Sequence, residues 1–503
     1  MSDSAAFCFQ EHAVGARECL PENRGRNVST EKCCPCSGRQ FWGGFGKRLE
    51  MVKRAEERKY WSGWIECASR EEIRALQERK LREQVRHIFT YSRFWQDQFR
   101  KTKISPDDIR TIDDLAKIPY MHKEAHTAHL ENEDSLFGGF LCRPIEEVLK
   151  GRCYFLSTSG TTAKPRRFLL DMKEWGSYAE ASGRAVWAAG VRPGDIAFLP
   201  FPLTLWTAGW VMQLAFETIG VTCINAGQPF DTKQRLELIQ DFRPTVSVTT
   251  PSYLLHMAAT AKEMGINLKE LGFKHLLIGG EPCPEASRKR IEVLFESPGI
   301  SRDFMGISEL TPPSICGINC EEQGGFHTTS EDMLIYQFLK PDSSEPAKPG
   351  EVAELVLTSL VQKTVVVGFN FRTRDLCIYD DSPCKCGRTS PRFRIIGRHD
   401  DMVTISGINI FASGIEDIVR KFPELGDEFQ LVIEKKGELD KVTVKAEPHP
   451  ETDQCIYPAL KAKLEKAIRQ SLTIKLPVEF VPFGTLPRFE LKAKRWLDLR
   501  PEE

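Results

Sequence analysis

Four short apolar runs, Ile196–Phe201, Val221–Asn225, Thr245–Thr249 and His275–Gly279, recur along the middle of the chain, with helix-patterned stretches such as Thr232–Asp241 between them. Runs of this length suit strands. A helix between successive strands returns the chain to the starting edge, so the strands lie parallel and the fold class is α/β. A later group, Met333–Leu339, Glu354–Leu360 and Val365–Phe371, has no helical pattern between its members and predicts an antiparallel, β-rich subdomain. Lys340–Gly350, K-P-D-S-S-E-P-A-K-P-G, is the turn joining two of these strands.

The length of 503 residues is enough for two or more domains. Residues 1–45 are polar, lack periodicity and predict a mobile appendage; residues 46–398 form the large domain. Residues 399–503 carry strands at Gln430–Glu434 and Lys441–Ala446 and a helix over Tyr457–Leu472, which predicts a small α+β lid. The stretch Glu71–Phe89 has apolar residues at helical spacing and predicts an amphipathic helix covering the large domain. A formal net charge of -1 excludes binding to a polyanion such as nucleic acid by charge, and Arg79-Lys80-Leu81-Arg82 reads as a solvated helix face. Ile196–Phe216 is uncharged and long enough for a membrane span, but Pro200, Pro202, Gly209 and Gln213 favour a strand, a turn and a pocket-lining helix. No N-terminal run has the pattern of a secretory signal. Sixteen scattered cysteines suit reduced thiols in the cytoplasm, some of them on metal. Cys33-Cys34-Pro35-Cys36 is either part of a bland tail or a metal or redox pair.

Tyr154–Pro165, Y-F-L-S-T-S-G-T-T-A-K-P, runs from an apolar lead into hydroxyls, one glycine and one cation. The hydroxyls of Ser157, Thr158, Ser159, Thr161 and Thr162, the backbone N–H groups exposed at Gly160 and the charge of Lys164 can wrap a polyphosphate. The spacing is not that of a P-loop, and the residues alone leave a solvated turn open.

Further motifs follow in order: Gly279-Gly280-Glu281-Pro282, Asp303-Phe304-Met305-Gly306-Ile307-Ser308-Glu309, Arg372-Thr373-Arg374-Asp375-Leu376, Gly397–Asn409, and Leu486-Pro487-Arg488 followed by Lys492. Together with Ser157–Pro165 they resemble, over about residues 55 to 500, the adenylate-forming acyl-CoA ligases and among them the phenylacetate–CoA ligase group. The resemblance implies that a carboxylate attacks ATP, pyrophosphate leaves, and the acyl adenylate passes its acyl group to CoA. It implies that the Ser157–Lys164 loop holds the β- and γ-phosphates and Glu309 binds Mg²⁺. Gly280, Glu281, Pro282 and the residues Asp303, Phe304, Met305, Gly306 and Ser308 belong to the nucleotide site. Asp375 takes the ribose hydroxyls with Arg398 beside it, and Lys492 is the catalytic cation of a lid that turns at Asp400. A homodimer is what the family implies.

Cys384-Lys385-Cys386-Gly387-Arg388 is a metal-knuckle pattern, and Cys320 and His327 supply a second pair upstream. Three Cys and one His complete a closed zinc tetrahedron, which some members of the resembling group carry. Two unrelated pairs of buried thiols are the alternative, with Cys316 and Cys377 as substitute ligands.

The chain departs from the family pattern at Ala163, Met305 and Leu491, none of which removes a charge the chemistry needs. Leu203–Met212, the segment matching the acyl-binding wall, lacks a tyrosine and a glycine common in phenylacetate enzymes and has Trp206, Trp210 and Met212 instead. A hydrophobic, aromatic acid fits such a wall. An enzyme loading a carrier-protein thiol or another acceptor, and a catalytically silent nucleotide-binding homologue, are the competing readings.

Overall fold

The computed structural model describes residues 58–132, 136–158, 165–399, 402–405, 408–436, 439–472, 474–488 and 493–500. The 1–45 segment with Cys33–Cys36 therefore lies outside the described residues.

The sheet strands are β3 (Ile196–Leu199), β4 (Thr222–Asn225), β5 (Val246–Thr249), β6 (His275–Gly279), β7 (Ser301–Gly306), β8 (Ile315–Asn319), β9 (Phe326–His327), β10 (Leu334–Leu339), β11 (Val352–Ser359), β12 (Phe371–Asp380) and β13 (Arg392–Arg398). They follow a separate hairpin of β1 (Cys153–Ser157) and β2 (Arg167–Asp171). The order across the sheet is β10-β11-β12-β13-β9-β8-β7-β6-β5-β3-β4. β4, β3, β5, β6 and β7 pair in parallel, and the remaining neighbours are antiparallel. The expected parallel and antiparallel groups are thus two halves of one sheet.

Alternation along the strands explains why helices cover both faces of the parallel half. Leu199, Val246, Val248 and Leu277 pack with residues of helices Met172–Ala188 and Thr207–Ile219. Phe198, Leu276 and Ile278 turn the other way, toward helices Thr232–Phe242, Pro251–Glu263 and Glu285–Leu294. The helix starts are written locally: Asp171 and Asp231 cap through capping boxes, and Thr250 caps a helix whose first residue is Pro251. The uncharged Ile196–Phe216 run divides into β3, a turn and the start of a helix, and no helix among the described residues is long and apolar enough to cross a membrane.

One expected strand is absent. Val365–Phe369 is buried as strongly as a core strand, but its backbone pairs irregularly: Val366 N–H donates to the Phe140 carbonyl, and the Gly368 carbonyl accepts from Ser359. The run is a buried loop, and the strand begins at Phe371. Apolar burial alone does not specify a ladder. The amphipathic helix forms over Arg70–Tyr91 and covers this half, with Gln77 and Gln84 donating to the carbonyls of Glu331, Leu334 and Gln362.

Toward the C-terminus, β14 (Leu425–Lys436), β15 (Leu439–Pro448), β16 (Val478–Phe480) and β17 (Trp496–Asp498) form a second sheet, in the order β16-β15-β14-β17. A separate core of Ile415, Ile418, Leu431, Val444, Leu464 and Ile468 joins it to helices Ala412–Val419 and Tyr457–Leu472. Polar contacts tie it to the main body, where Ser287 Oγ donates to Glu416, Ala286 N–H to Asp417, and Arg290 pairs with Asp427 at 2.9 Å, and the Phe411 ring packs against Gly397.

Candidate active site

Two hydrogen bonds close the loop end of the β1–β2 hairpin, and a third ties it to the neighbouring segment. Thr158 N–H donates to the Arg166 carbonyl at 3.0 Å, and Arg166 N–H to Thr158 Oγ1 at 3.1 Å. Ser157 N–H donates to the Leu205 carbonyl at 2.6 Å, which ties the hairpin to the segment leading into helix Thr207–Ile219. Ser157 and Thr158 thus stand at a closed neck. Ser159, Gly160, Thr161, Thr162 and Lys164 lie outside the described residues, as does Ala163.

Next to this neck lies the Asp303–Glu309 motif. Thr207 Oγ1 is 3.0 Å from Ser308 Oγ, so one helix start touches both motifs. Glu309 sits on a short turn, Ser308–Leu310, whose backbone is fixed by Gln362 donating to the Glu309 carbonyl at 2.8 Å. Its carboxylate meets Arg166 Nε at 2.7 Å, with Glu309 buried and Arg166 partly buried. Arg166 is a site residue that sequence reasoning missed, although it follows the loop motif directly.

At the end of β6, a Cβ on Gly279 would lie 2.6 to 2.7 Å from the ring and carbonyl of Phe304, so only glycine permits this approach. Gly280 follows at φ +84, a left-handed conformation glycine adopts without strain. The next carboxylate, Glu281, accepts from Ser252 N–H at 2.7 Å and from Ala493 N–H at 3.0 Å. Burial raises its pKa, while these hydrogen bonds, Ala493's first, oppose the rise. Ala493 is the chain neighbour of Lys492, which lies outside the described residues, as does Asp400. Burial also lifts the Asp303 carboxyl to about 7, with Arg288 countering. Pro282, Met305 and Gly306 make no described side-chain hydrogen bond to another motif.

Asp375 and Arg398 face each other in the β12–β13 register, and Arg398 Nη1 donates to Asp375 Oδ1 at 3.0 Å. Asp375 helps raise the thiol of Cys316, after burial, and the residues flanking Cys316 pair with Met305 and Gly306. The Arg372–Leu376 and Asp303–Glu309 motifs therefore adjoin. Asp342, unremarked in the sequence, accepts from Arg374 at 2.9 Å and lies 3.1 Å from His399 Nε2.

Cys320, His327, Cys384 and Cys386 come together, with their four donor atoms all within 4.8 Å of one another. Cys316 and Cys377 are buried elsewhere and do not join the group. His327 Nδ1 is 3.0 Å from Ser390 Oγ, and Nε2 is 3.4 Å from Cys386 Sγ. When Nδ1 carries the proton, Ser390 accepts it and Nε2 turns a lone pair toward the thiols. The hydrogen bond between Cys320 and Cys386 holds the Cys386 thiol well below its usual range and raises that of Cys320 in return, so one sulfur of the set favours the thiolate. Gly387, at φ +87, turns the knuckle under Tyr60, whose hydroxyl donates to the Cys386 carbonyl at 3.0 Å. A largely buried, closed set of three sulfurs and one imidazole fits zinc.

The AMP-binding enzyme model matches residues 76–359, and the model for the C-terminal domain of AMP-binding enzymes matches residues 407–500. The chain belongs to the AMP-binding enzyme family. Within it, the phenylacetate-coenzyme A ligase of Thermus thermophilus is 31% identical over 455 residues, covering 87% of this chain and 98% of that protein. The phenylacetate-coenzyme A ligase of Escherichia coli is 30% identical over 448 residues, covering 87% and 97%. A solved 2-hydroxyisobutyryl-CoA ligase, in the postadenylation state in complex with R3-HIB-AMP, shares the fold at a TM-score of 0.81 and 23% identity, covering 88% of this chain and 93% of that one. This AMP-binding enzyme is an adenylate-forming acid–thiol ligase of the phenylacetate–CoA ligase group.

Proposed function

We propose that the enzyme activates a hydrophobic, aromatic carboxylic acid with ATP and hands the acyl group to CoA in the cytoplasm. The aromatic wall carries this reading. Segment 203–212 runs between Ser157 and Ser308, where the two motifs meet, and its tryptophans belong to a ring cluster. Trp210 packs edge-on to Trp175, which stacks on Tyr154 at 3.6 Å between ring centroids, and Trp206 packs edge-on to Phe201. Flat rings in such a wall favour an aryl acid over a short aliphatic one.

The roles assigned to the residues follow from the charge that develops. Attack on the α-phosphate builds negative charge on the phosphoryl oxygens, so the site works by positioning and by electrostatic stabilisation. The Ser157–Lys164 loop holds the outer phosphates, and Asp375, aligned by Arg398, accepts from the ribose hydroxyls. Gly280–Pro282, Asp303–Gly306 and Ser308 frame the base. Glu309 is the Mg²⁺ ligand, and that ion would neutralise phosphate charge when bound. Lys492 supplies a cation to the forming acyl phosphate, a contribution on the order of 10²–10³ in rate. A lid of residues 399–503 turns at Asp400 to bring and withdraw it; the polar contacts of Arg290, Ser287 and Glu281 with this part of the chain can break and reform in water. Cys320, His327, Cys384 and Cys386 hold a structural zinc.

A pyrophosphate-release assay over a panel of aryl and alkyl acids, with and without CoA, tests the reading. Release with aryl acids and a CoA thioester as product is expected. Acyl adenylate accumulating without thioester would point to a carrier-protein thiol or other acceptor, and silence across the panel would point to a nucleotide-binding homologue without activity.

A further inference from the structure

The ion pair between Arg166 and Glu309 has an unusual construction. Arg166 Nε and Glu309 Oε1 are 2.7 Å apart, yet among the described residues neither atom makes an aligned hydrogen bond, so the contact is held by charge. The backbones on both sides are fixed: Arg166 by its two bonds to Thr158, Glu309 by Gln362 and by the close approach of Gly368 to its carbonyl. Only the side chains are free to change partners. A carboxylate neutralised by a guanidinium is a poor ligand for a divalent cation, because the cation must first displace the charge already there. Polyphosphate offers the guanidinium a substitute of the same sign as the carboxylate it leaves.

We propose that Arg166 is a positioning residue that occupies Glu309 until metal-bound ATP arrives, then exchanges the carboxylate for phosphate, so that metal and nucleotide enter together. The proposal rests on Glu309 being the metal ligand. It makes metal and ATP binding mutually dependent, since each removes an obstacle to the other. Arg166 does not itself react; it acts through Glu309 and through the placement of the phosphates.

Titration of the full chain with Mn²⁺, followed by electron paramagnetic resonance without and with ATP and corrected for Mn²⁺ held by ATP in solution, tests this directly. The parent should bind Mn²⁺ weakly alone and much better with ATP. Arg166→Gln should bind Mn²⁺ alone about tenfold more tightly, within the usual range of coupling between sites, and lose most of the gain from ATP. Its KM for ATP should rise more than its kcat falls. A loss of structure would weaken metal binding, so tightening is a signature that a structural role does not give. Unchanged or weaker Mn²⁺ binding in Arg166→Gln overturns the proposal. Glu309→Gln separates the two layers. If it leaves Mn²⁺ binding with ATP intact, the metal-ligand reading itself fails; if it abolishes binding while Arg166→Gln behaves as the parent, only the exchange fails. Should Arg166→Gln not fold, Arg166→Lys carries the same measurement, with an intermediate gain expected and no gain refuting.

Discussion

His126 offers a measurement of what an unpartnered imidazole costs beside this site. It is fully buried in helix Lys123–Asn132, packed against Phe140 and Phe168, and among the described residues neither ring nitrogen has a hydrogen-bond partner. Burial, followed by the charge of Arg166, pushes its pKa down to about 3. Replacement by leucine keeps an apolar side chain of similar size and removes the orphaned polar atoms. Each buried unsatisfied group costs about 1–3 kcal/mol, so His126→Leu should stabilise the large domain by about 1–2 kcal/mol at pH 8 after allowing for imperfect fit. Acid enlarges the difference. The unfolded imidazole takes up a proton below its ordinary 6.5, whereas the folded one stays neutral down to about 3, so the parent loses stability as pH falls through that window. At pH 5, roughly 1.5 units below the unfolded value, the loss amounts to about 2 kcal/mol, and the leucine variant escapes it. Urea unfolding followed by tryptophan fluorescence at pH 8 and pH 5 gives the parent–variant difference at each pH. A variant less stable at pH 8, or a difference that does not grow at pH 5, refutes the reasoning.

Asp303 runs in the opposite direction: its folded pKa is raised to about 7, so the parent loses stability as pH rises above the unfolded 3.8. Asp303→Asn should gain on the parent between pH 5 and pH 7.5 in the same assay. Asp375→Asn should raise the KM for ATP about tenfold to a hundredfold, the cost of losing a charge-assisted hydrogen bond, as read by steady-state kinetics. Lys492→Ala should abolish acyl-adenylate formation while largely sparing thioester formation from preformed adenylate; equal loss of both half-reactions would count against a turning lid. Elemental analysis should find about one zinc per chain, and Cys384→Ser should remove most of it and lower the melting temperature; absence of zinc in the parent would sink the four-ligand proposal.

Much of the fold was legible because its signals are local. β6 forms over the whole of His275–Gly279 as expected, and β3, β4 and β5 fall within their predicted runs, each punctuated by caps, prolines or glycines that mark where a helix or turn begins. Val365–Phe371 was misread because its hydrophobicity reports burial, while its backbone partners, Phe140 among them, are brought together only by the tertiary fold. The gathering of Cys320, His327, Cys384 and Cys386 was legible from spacing, since close pairs of soft ligands have few other uses. Ser390 against His327 and Arg166 against Glu309 were not legible, because a charge or hydroxyl carries no mark in the sequence of the partner it will meet.

The four-donor cluster also has a consequence for the disordered chain. Cys320 and Cys384 lie 64 positions apart, and β10, β11 and β12, with Asp375, fall between them. A metal across the cluster turns that span into a closed loop, restricting the conformations open to it before any sheet has formed. By the chain-entropy relation for a cross-link of this size, the closure is worth about 4 kcal/mol. Asp375 would thus belong to a segment tethered at both ends, whose search for its place in the sheet is shortened by the cross-link.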